Sequence, residues 1–278
     1  MFASSVLPSM LPYFFFTKLL TGTGCVGSLT STVGKPLGKA WGNSPVAAYP
    51  FLMSLLSGYP VGARVLADLY EKGMLSKEEA ARAASFCSTS GSMFVLGSVG
   101  AVILGDPKAS VVILVTHYVA AFLNGLFYRG KVRDVNLSAV PMSPQSGAAL
   151  SEAMYESVFS LALVGGFIAV ANLLGDMFFD LLSLTGVTLA GKTTGALLYS
   201  VFEVTRGCVE FAALGMGRVW TAALCASAIG FGGLSVLLQS LAFLGKTGLK
   251  WGKFLLMKTT QALLSFALCL GIGFLFLR

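Results

Sequence analysis

The sequence predicts an all-α, polytopic integral membrane protein made of two inverted-topology repeats, each with about three spans and a re-entrant or broken-helix hairpin. Three observations predict this class. Charged residues make up 11% of the 278 positions and hydrophobic residues 55%, with a mean hydropathy of +0.81, whereas a soluble domain carries roughly 25% charged residues to wet its surface. The charges sit in short clusters between apolar runs long enough to cross a hydrocarbon core of about 30 Å. The same order of parts also occurs on both sides of a Pro/Ser/Gly-rich linker: span, broken short segment, Gly/Ser-interrupted segment, span.

The elements follow in order. Phe2–Leu20 is the first apolar run; it lacks a basic leader and more spans follow, so it reads as a mature helix rather than a signal peptide. Val46–Leu56 is too short to span and breaks at Ser57–Gly62 (SGYPVG), which suits a re-entrant or interfacial piece. Residues 63–82 are charged and amphipathic, with Ser76 and Glu79 at capping-box spacing, and read as an interfacial helix. Asp68, Glu71, Glu78 and Glu79 alternate with basic residues as on a solvated face. Residues 85–104 begin polar and end apolar, Asp106–Pro107 turns, and Val111–Tyr128 spans. Arg129, Lys131 and Arg133 open the linker. The organisation is therefore a first repeat over 1–135, a linker over 136–149 and a second repeat over 150–278, together forming one compact transmembrane domain.

In the second half, Ser157–Leu174 spans and a short loop with Asp176 and Asp180 follows. Gly195–Val204 is a short run broken by Thr205-Arg206-Gly207. Trp220–Leu244 is interrupted at Gly-Phe-Gly-Gly (230–233), Lys246, Lys250 and Lys253 form a basic loop, and Phe254–Leu277 is the last span. If each half crosses three times, with its short segment dipping in and returning, twelve basic residues from Lys35 to Lys253 share one side. The other side receives little beyond Lys108, Lys192, Arg218 and Arg278. That asymmetry is what the positive-inside rule demands, and it places both termini on the extracytoplasmic side.

Several classes drop out. The net charge of +7 belongs to loops that set orientation, so nucleic acid is not an expected partner. Cys25, Cys87, Cys208, Cys225 and Cys269 have no CxxC spacing and read as small core residues. No P-loop, GxSxG, HExxH or exposed carboxylate pair is present. No enzyme, catalytic residue, cofactor or metal site is expected.

The candidate binding residues are those where helix breakers and polar groups coincide. Gly58, Tyr59 and Pro60, with Ser88, Thr89, Ser90 and Gly91, form the first half's breaks. Broken backbone at membrane depth is tolerated only inside protein or along a wet cavity, and freed amides at a half-helix N-terminus can bind an anionic or carbonyl oxygen. Close packing through small residues is the competing account. Glu203, Arg206 and Glu210 mark the second half's break; Glu203 and Arg206, three apart, are placed to pair, either as a substrate or ion site or as a structural ion pair. His117 lies within a span and reads first as a residue satisfied by a neighbouring helix, with a proton-coupling role as the second reading. Asn124, Asn172, Gln239 and Gln261 are spaced as interhelical hydrogen-bond formers or solute contacts.

From Ser57 to Gly97 the motifs become specific: SGYP-x-GA, an amphipathic stretch ending in SKEEA, then SFC-x-x-SG-x-x-F-x-x-G. FEVTRGC (202–208) and GFGGLSVLLQ (230–239) follow in the second half. Over nearly the whole chain this resembles the nucleoside-recognition (Gate) membrane domain family, and within it the sporulation integral membrane protein YlbJ group. The resemblance implies inverted repeats with re-entrant hairpins. It also implies that Gly58, Tyr59, Pro60, Ser90, Gly91, Glu203, Arg206, Gly232 and Ser235 lie near the centre. Two functions are then expected as alternatives. One is a transporter-like protein holding a small polar solute, nucleoside-like or anionic, at a midplane site between broken helices, with Na+ or H+ as coupling ion. The other is a non-transporting scaffold in spore envelope or cortex assembly that contacts lipids. A homo-oligomer is compatible with either.

Overall fold

The computed structural model describes residues 11–12, 14–16, 19, 25–131, 149–185 and 191–278, with side chains described except at 25–31 and 149. Most of the expected first span, and the expected linker over 136–149 except its last residue, lie outside them. The described residues form eleven α-helices, two short 3-10 turns and one π-helix, with no strand among them. They are α1 (Cys25–Trp41), α2 (Ala48–Ser57), α3 (Val61–Glu71), α4 (Lys77–Ala83), the π-helix Phe94–Leu104 and α5 (Pro107–Phe127). Then follow α6 (Ala149–Leu184), α7 (Lys192–Phe202), α8 (Val204–Ala213), α9 (Arg218–Phe231), α10 (Gly233–Leu244) and α11 (Trp251–Phe276).

Four stretches are long and apolar enough to cross a membrane: Pro107–Phe127, Leu150–Leu184, Arg218–Thr247 and Trp251–Phe276. The protein is an all-helical, polytopic membrane protein, as composition predicts.

Each half carries the same order of parts. A pair of short helices packs against itself (α2 on α3, α7 on α8), an interrupted helix follows (α4 to the π-helix, α9 to α10), and a long helix closes the set (α5, α11). The breaks have local causes. Gly58 ends α2 at φ 79°, in the left-handed region that only glycine adopts freely, and the Tyr59–Pro60 peptide is cis. Gly232 and Gly233 (φ 87° and 69°) separate α9 from α10. Glu203 is extended (φ −145°, ψ 125°), ending α7 and starting α8 as its own N-cap. That break lies two residues earlier than the Thr205-Arg206-Gly207 expected from sequence, because the Glu203 carboxylate can accept the Arg206 amide at 2.7 Å.

Two other expectations are corrected. The segment around Asp176 and Asp180 is not a loop: α6 runs unbroken for 36 residues. The apolar residues Met177, Phe178, Phe179, Leu181 and Leu182 around the two aspartates carry the helix through. The 63–82 stretch falls in two helices and the turn between them, and its apolar residues Ala63, Leu66, Leu69, Leu75 and Ala80 enter the main core rather than lying flat on a lipid surface. The expected capping box is present at Ser76 and Glu79. Glu79, however, is 1% exposed, because it also accepts the Ser44 amide at 3.0 Å; it does not belong to a solvated face.

That core is centred on Trp41, which stacks on Phe86 at 3.9 Å and meets Phe51 edge-on at 5.0 Å. Its indole N–H donates to the Phe122 carbonyl at 3.1 Å. Each ring pair contributes about 0.5–1.5 kcal/mol beyond its buried area. The Trp41 side chain lies 2.5 Å from where a Gly125 Cβ would sit, so α5 meets the indole at a glycine. Contacts gather the basic residues around this core: Arg129 reaches the Lys39 carbonyl, Arg82 reaches that of Lys131, and Lys246 pairs with Glu71 at 3.1 Å. At the other end of α5, Asp106 caps the helix by accepting the Lys108 and Ala109 amides and pairs with Arg218 at 2.8 Å. The described cysteines Cys87, Cys208, Cys225 and Cys269 are buried and unbridged, as expected of core residues.

Candidate binding site at the helix breaks

The three helix breaks and the unwound stretch before the π-helix meet. A buried cavity lies among Gly58 and Tyr59 of the first hairpin, Ser90 and Gly91 of the unwound stretch, Glu203 of the second hairpin, and Ser235 and Gln239 of α10. Val164 and Ile168 of α6 close one side. Its volume is about 20 Å³, room for a single water. The wall holds buried polar atoms with no partner among the described residues, Ser235 Oγ and Gln239 Oε1. The Tyr59 and Ser90 hydroxyls meet each other there. Buried polar groups normally carry a hydrogen-bond partner.

The first hairpin tip touches the unwound stretch through two glycines. A Cβ on Gly58 would lie 2.6 Å from the Gly91 nitrogen, which is why neither position tolerates a side chain. The stretch itself is fixed from both halves. Asn124 Nδ2 donates to the Ser85 carbonyl at 2.7 Å and to that of Met257 at 3.0 Å. Ser88 Oγ and Ser240 Oγ lie 2.9 Å apart in a hydrogen bond. Thr89 Oγ1 donates to Ser54 Oγ at 2.7 Å. The Ser90 amide donates to His117 Nε2 at 3.0 Å, and Lys258 Nζ donates to the Ser88 carbonyl at 2.7 Å. Each bond satisfies a backbone or hydroxyl group that the missing helix leaves unpaired.

Of the predicted site residues, Gly58, Tyr59, Ser90, Gly91, Glu203 and Ser235 line the cavity. Pro60 faces the other way, onto a larger cavity of about 610 Å³ between α3, α6 and α10 that carries Arg64, Lys72 and Lys246. Ser88 and Thr89 are buried just behind the cavity wall, and Gly232 supplies the kink without lining it.

Arg206 is directed elsewhere. Its guanidinium pairs with Asp176 at 3.0 Å and Glu210 at 3.8 Å and lies over the Tyr199 ring at 4.2 Å. The expected Glu203–Arg206 side-chain pair does not form, because the Glu203 carboxylate is occupied by the Arg206 amide and by Thr205 Oγ1 at 3.0 Å. Asn172 bonds only within its own helix, to Ile168, whereas Asn124 joins helices as expected.

Lys258 is the residue that sequence reading missed. A second lysine two turns into a 26-residue apolar helix, past Lys253 in its first turn, is the signal that marks it, since a charge inside a spanning segment is costly and needs a reason. Gln261, one turn on, accepts from Lys258 at 2.9 Å. No group of three or more His, Cys, Asp or Glu capable of holding a metal occurs among the described residues.

Comparison with known proteins gives one line of kinship. No family model matches the chain and no solved structure matches it. The sporulation integral membrane protein YlbJ of Bacillus subtilis (strain 168) is 27% identical over 296 aligned positions, covering 92% of this chain and 71% of the relative. The chain is thus a multi-helix membrane protein similar, along almost all of its length, to one named for sporulation.

Proposed function

We propose that the chain is a secondary transporter that holds a small polar solute, nucleoside-like or anionic, where the broken helices meet. The observation that carries this reading is the convergence of the breaks on one buried cavity with unpartnered polar atoms on its wall. A protein that needed these segments only as packing would satisfy or remove those atoms. The 610 Å³ cavity supports an access route from the basic end, because it ends on Pro60 while the neighbouring Tyr59 walls the inner cavity. In this reading the halves are closed on the site and part around it as a solute enters. The basic end faces the cytoplasm of a bacterial cell by the positive-inside rule, and the two halves run in opposite senses.

A second reading, a non-transporting scaffold in spore envelope assembly, is favoured by the tightness of the inner cavity and by the name of the relative. Thermal unfolding of the purified protein in detergent, against nucleosides, small carboxylates and phosphate, separates the two. A bound solute at about a hundred times its dissociation constant stabilises by roughly 2.7 kcal/mol. The transporter reading expects one class to do so, with the shift lost in Ser235→Val and Gln239→Leu. No shift from any class would leave the scaffold reading standing.

A further inference from the structure

Two ionisable side chains inside the spanning helices hold the same short piece of unwound backbone, one at each end. From α5, His117 meets one end: the Ser90 amide donates to Nε2 at 3.0 Å. That nitrogen therefore carries no proton, and the single imidazole proton sits on Nδ1, which reaches no partner among the described residues. From α11, Lys258 meets the other end: Nζ donates to the Ser88 carbonyl at 2.7 Å and to Gln261 Oε1 at 2.9 Å. Both side chains are fully buried. Among the described residues no carboxylate lies within ion-pair distance of Lys258.

The other elements packed around His117 bring few titratable groups. Cys269 comes from α11, Cys225 from α9 and Cys87 from the unwound stretch, and the π-helix brings none. Lys39 of α1 sits by Arg129, at the far end of α5. On α5 itself, Tyr118 donates to the Leu55 carbonyl at 2.7 Å. Tyr59 of the first hairpin approaches Ser90, and Glu203 lies across the cavity. Lys258, bonded to Ser88 two residues along the same backbone from the Ser90 that His117 accepts from, is the charged group that shares this piece with the imidazole.

We infer that His117 and Lys258 form a proton-binding site that sets the position of the unwound stretch, and that the ion coupled to its movement is H+ rather than Na+. A proton from solvent adds to the Nε2 lone pair. The new N–H then points at the Ser90 N–H, two donors with no acceptor between them, and the Ser90 end of the stretch leaves the imidazole. The displacement reaches the cavity directly: Ser90 and Gly91 form part of its wall, and Gly91 is packed on Gly58. Lys258 resists a second positive charge beside it, so proton arrival on His117 also weakens the ammonium's hold on Ser88.

Carbonyls freed by unwinding are where transporters coordinate Na+, and here such a carbonyl is already held by an ammonium that belongs to the chain. The inference takes its purpose from the transporter reading, but its geometry does not depend on it.

The chain contains one histidine, so uniformly 15N-histidine-labelled protein in detergent shows a single imidazole. Its tautomer and proton uptake are read by NMR from about pH 9 to about pH 4. Hydrogen exchange of residues 85–93, corrected for intrinsic rates, is followed on the same samples. The expected result is a neutral imidazole protonated on Nδ1 at high pH. Proton uptake on acidification should then coincide with an approximately tenfold loss of protection in the stretch, the scale of one buried hydrogen bond.

His117→Gln keeps an acceptor that does not titrate, and should hold the stretch protected throughout. Lys258→Met, which removes the opposing charge, should displace the opening to higher pH even if His117→Gln does not fold. Exchanging NaCl for choline chloride should change nothing. The inference is overturned by an imidazole that stays neutral throughout, by protonation that leaves protection unchanged, or by a stretch that tightens specifically in Na+. Proton-linked opening without any solute response would remove the transporter reading and leave the proton site standing; a solute response without proton linkage would do the reverse.

Discussion

The two interrupted helices solve one problem in opposite ways. In the second half the interruption is minimal: Gly232 and Gly233 turn the chain and α10 begins at once. In the first half, Ser85 to Gly91 run without helix before the π-helix starts. A two-residue kink frees few backbone groups and needs little support. The long stretch frees many, and its groups are taken up by Asn124, His117, Ser240 and Lys258, residues drawn from both halves. The comparison teaches that the first-half stretch is where the halves are bonded to each other, while the second-half kink is self-sufficient. Backbone exposed this way inside a membrane is affordable only when neighbours satisfy it.

Gly58→Ala should cost the most, about 3–5 kcal/mol, because the left-handed φ and the contact with Gly91 are both violated; loss of folded yield or a collapsed melting temperature would show it. Next, Asn124→Ala removes an amide that serves Ser85, Met257 and, as acceptor, Thr260. A loss of about 2–3 kcal/mol is expected in thermal unfolding, since buried carbonyls lose their donor. An equal loss from Ser235→Ala in the second half would dissolve the contrast.

Glu203→Ala removes the N-cap of α8 and should cost about 1–2 kcal/mol, with Glu203→Asn restoring part of it. The smallest effect lies outside the breaks. The Arg218 guanidinium beside Asp106 holds that carboxyl below the usual carboxylate range. The folded state therefore binds this proton less readily than the unfolded one. The stability that Asp106 supplies is complete above about pH 4, the unfolded value, and is lost as pH falls through the lower folded value. Acid melts of Arg218→Ala should lack that component.

Much of the fold was legible in residue order. Helix breakers at Gly58–Pro60 and Gly230–Gly233, and hydroxyl clusters at Ser88–Ser92, mark breaks wherever they occur, because the cause is local. What escaped was what depends on partners. Glu203 and Arg206 have the spacing of an ion pair, yet the carboxylate turned to its own helix and Arg206 found Asp176 thirty positions away. Asp176 looked like a loop residue because acidity, not periodicity, was used to place it. Lys258 shares its helix with Lys253, and His117 is the chain's one histidine. What joins them is the bond each makes to Ser88 or Ser90, and no spacing in the chain connects them.

The unbroken α6 also serves as a depth gauge. Its acidic residues fall at Glu152 and Glu156 near one end and at Asp176 and Asp180 near the other. The uncharged run between Glu156 and Asp176 is roughly 28 Å at 1.5 Å per residue, close to the thickness of a hydrocarbon slab. Val164 and Ile168, which close the inner cavity, straddle the middle of that run. The meeting point of the breaks is thus level with the middle of that uncharged run. Arg206, tied to Asp176, sits level with one end of it, so the same helix measures off the cavity at its middle and the arginine at its edge.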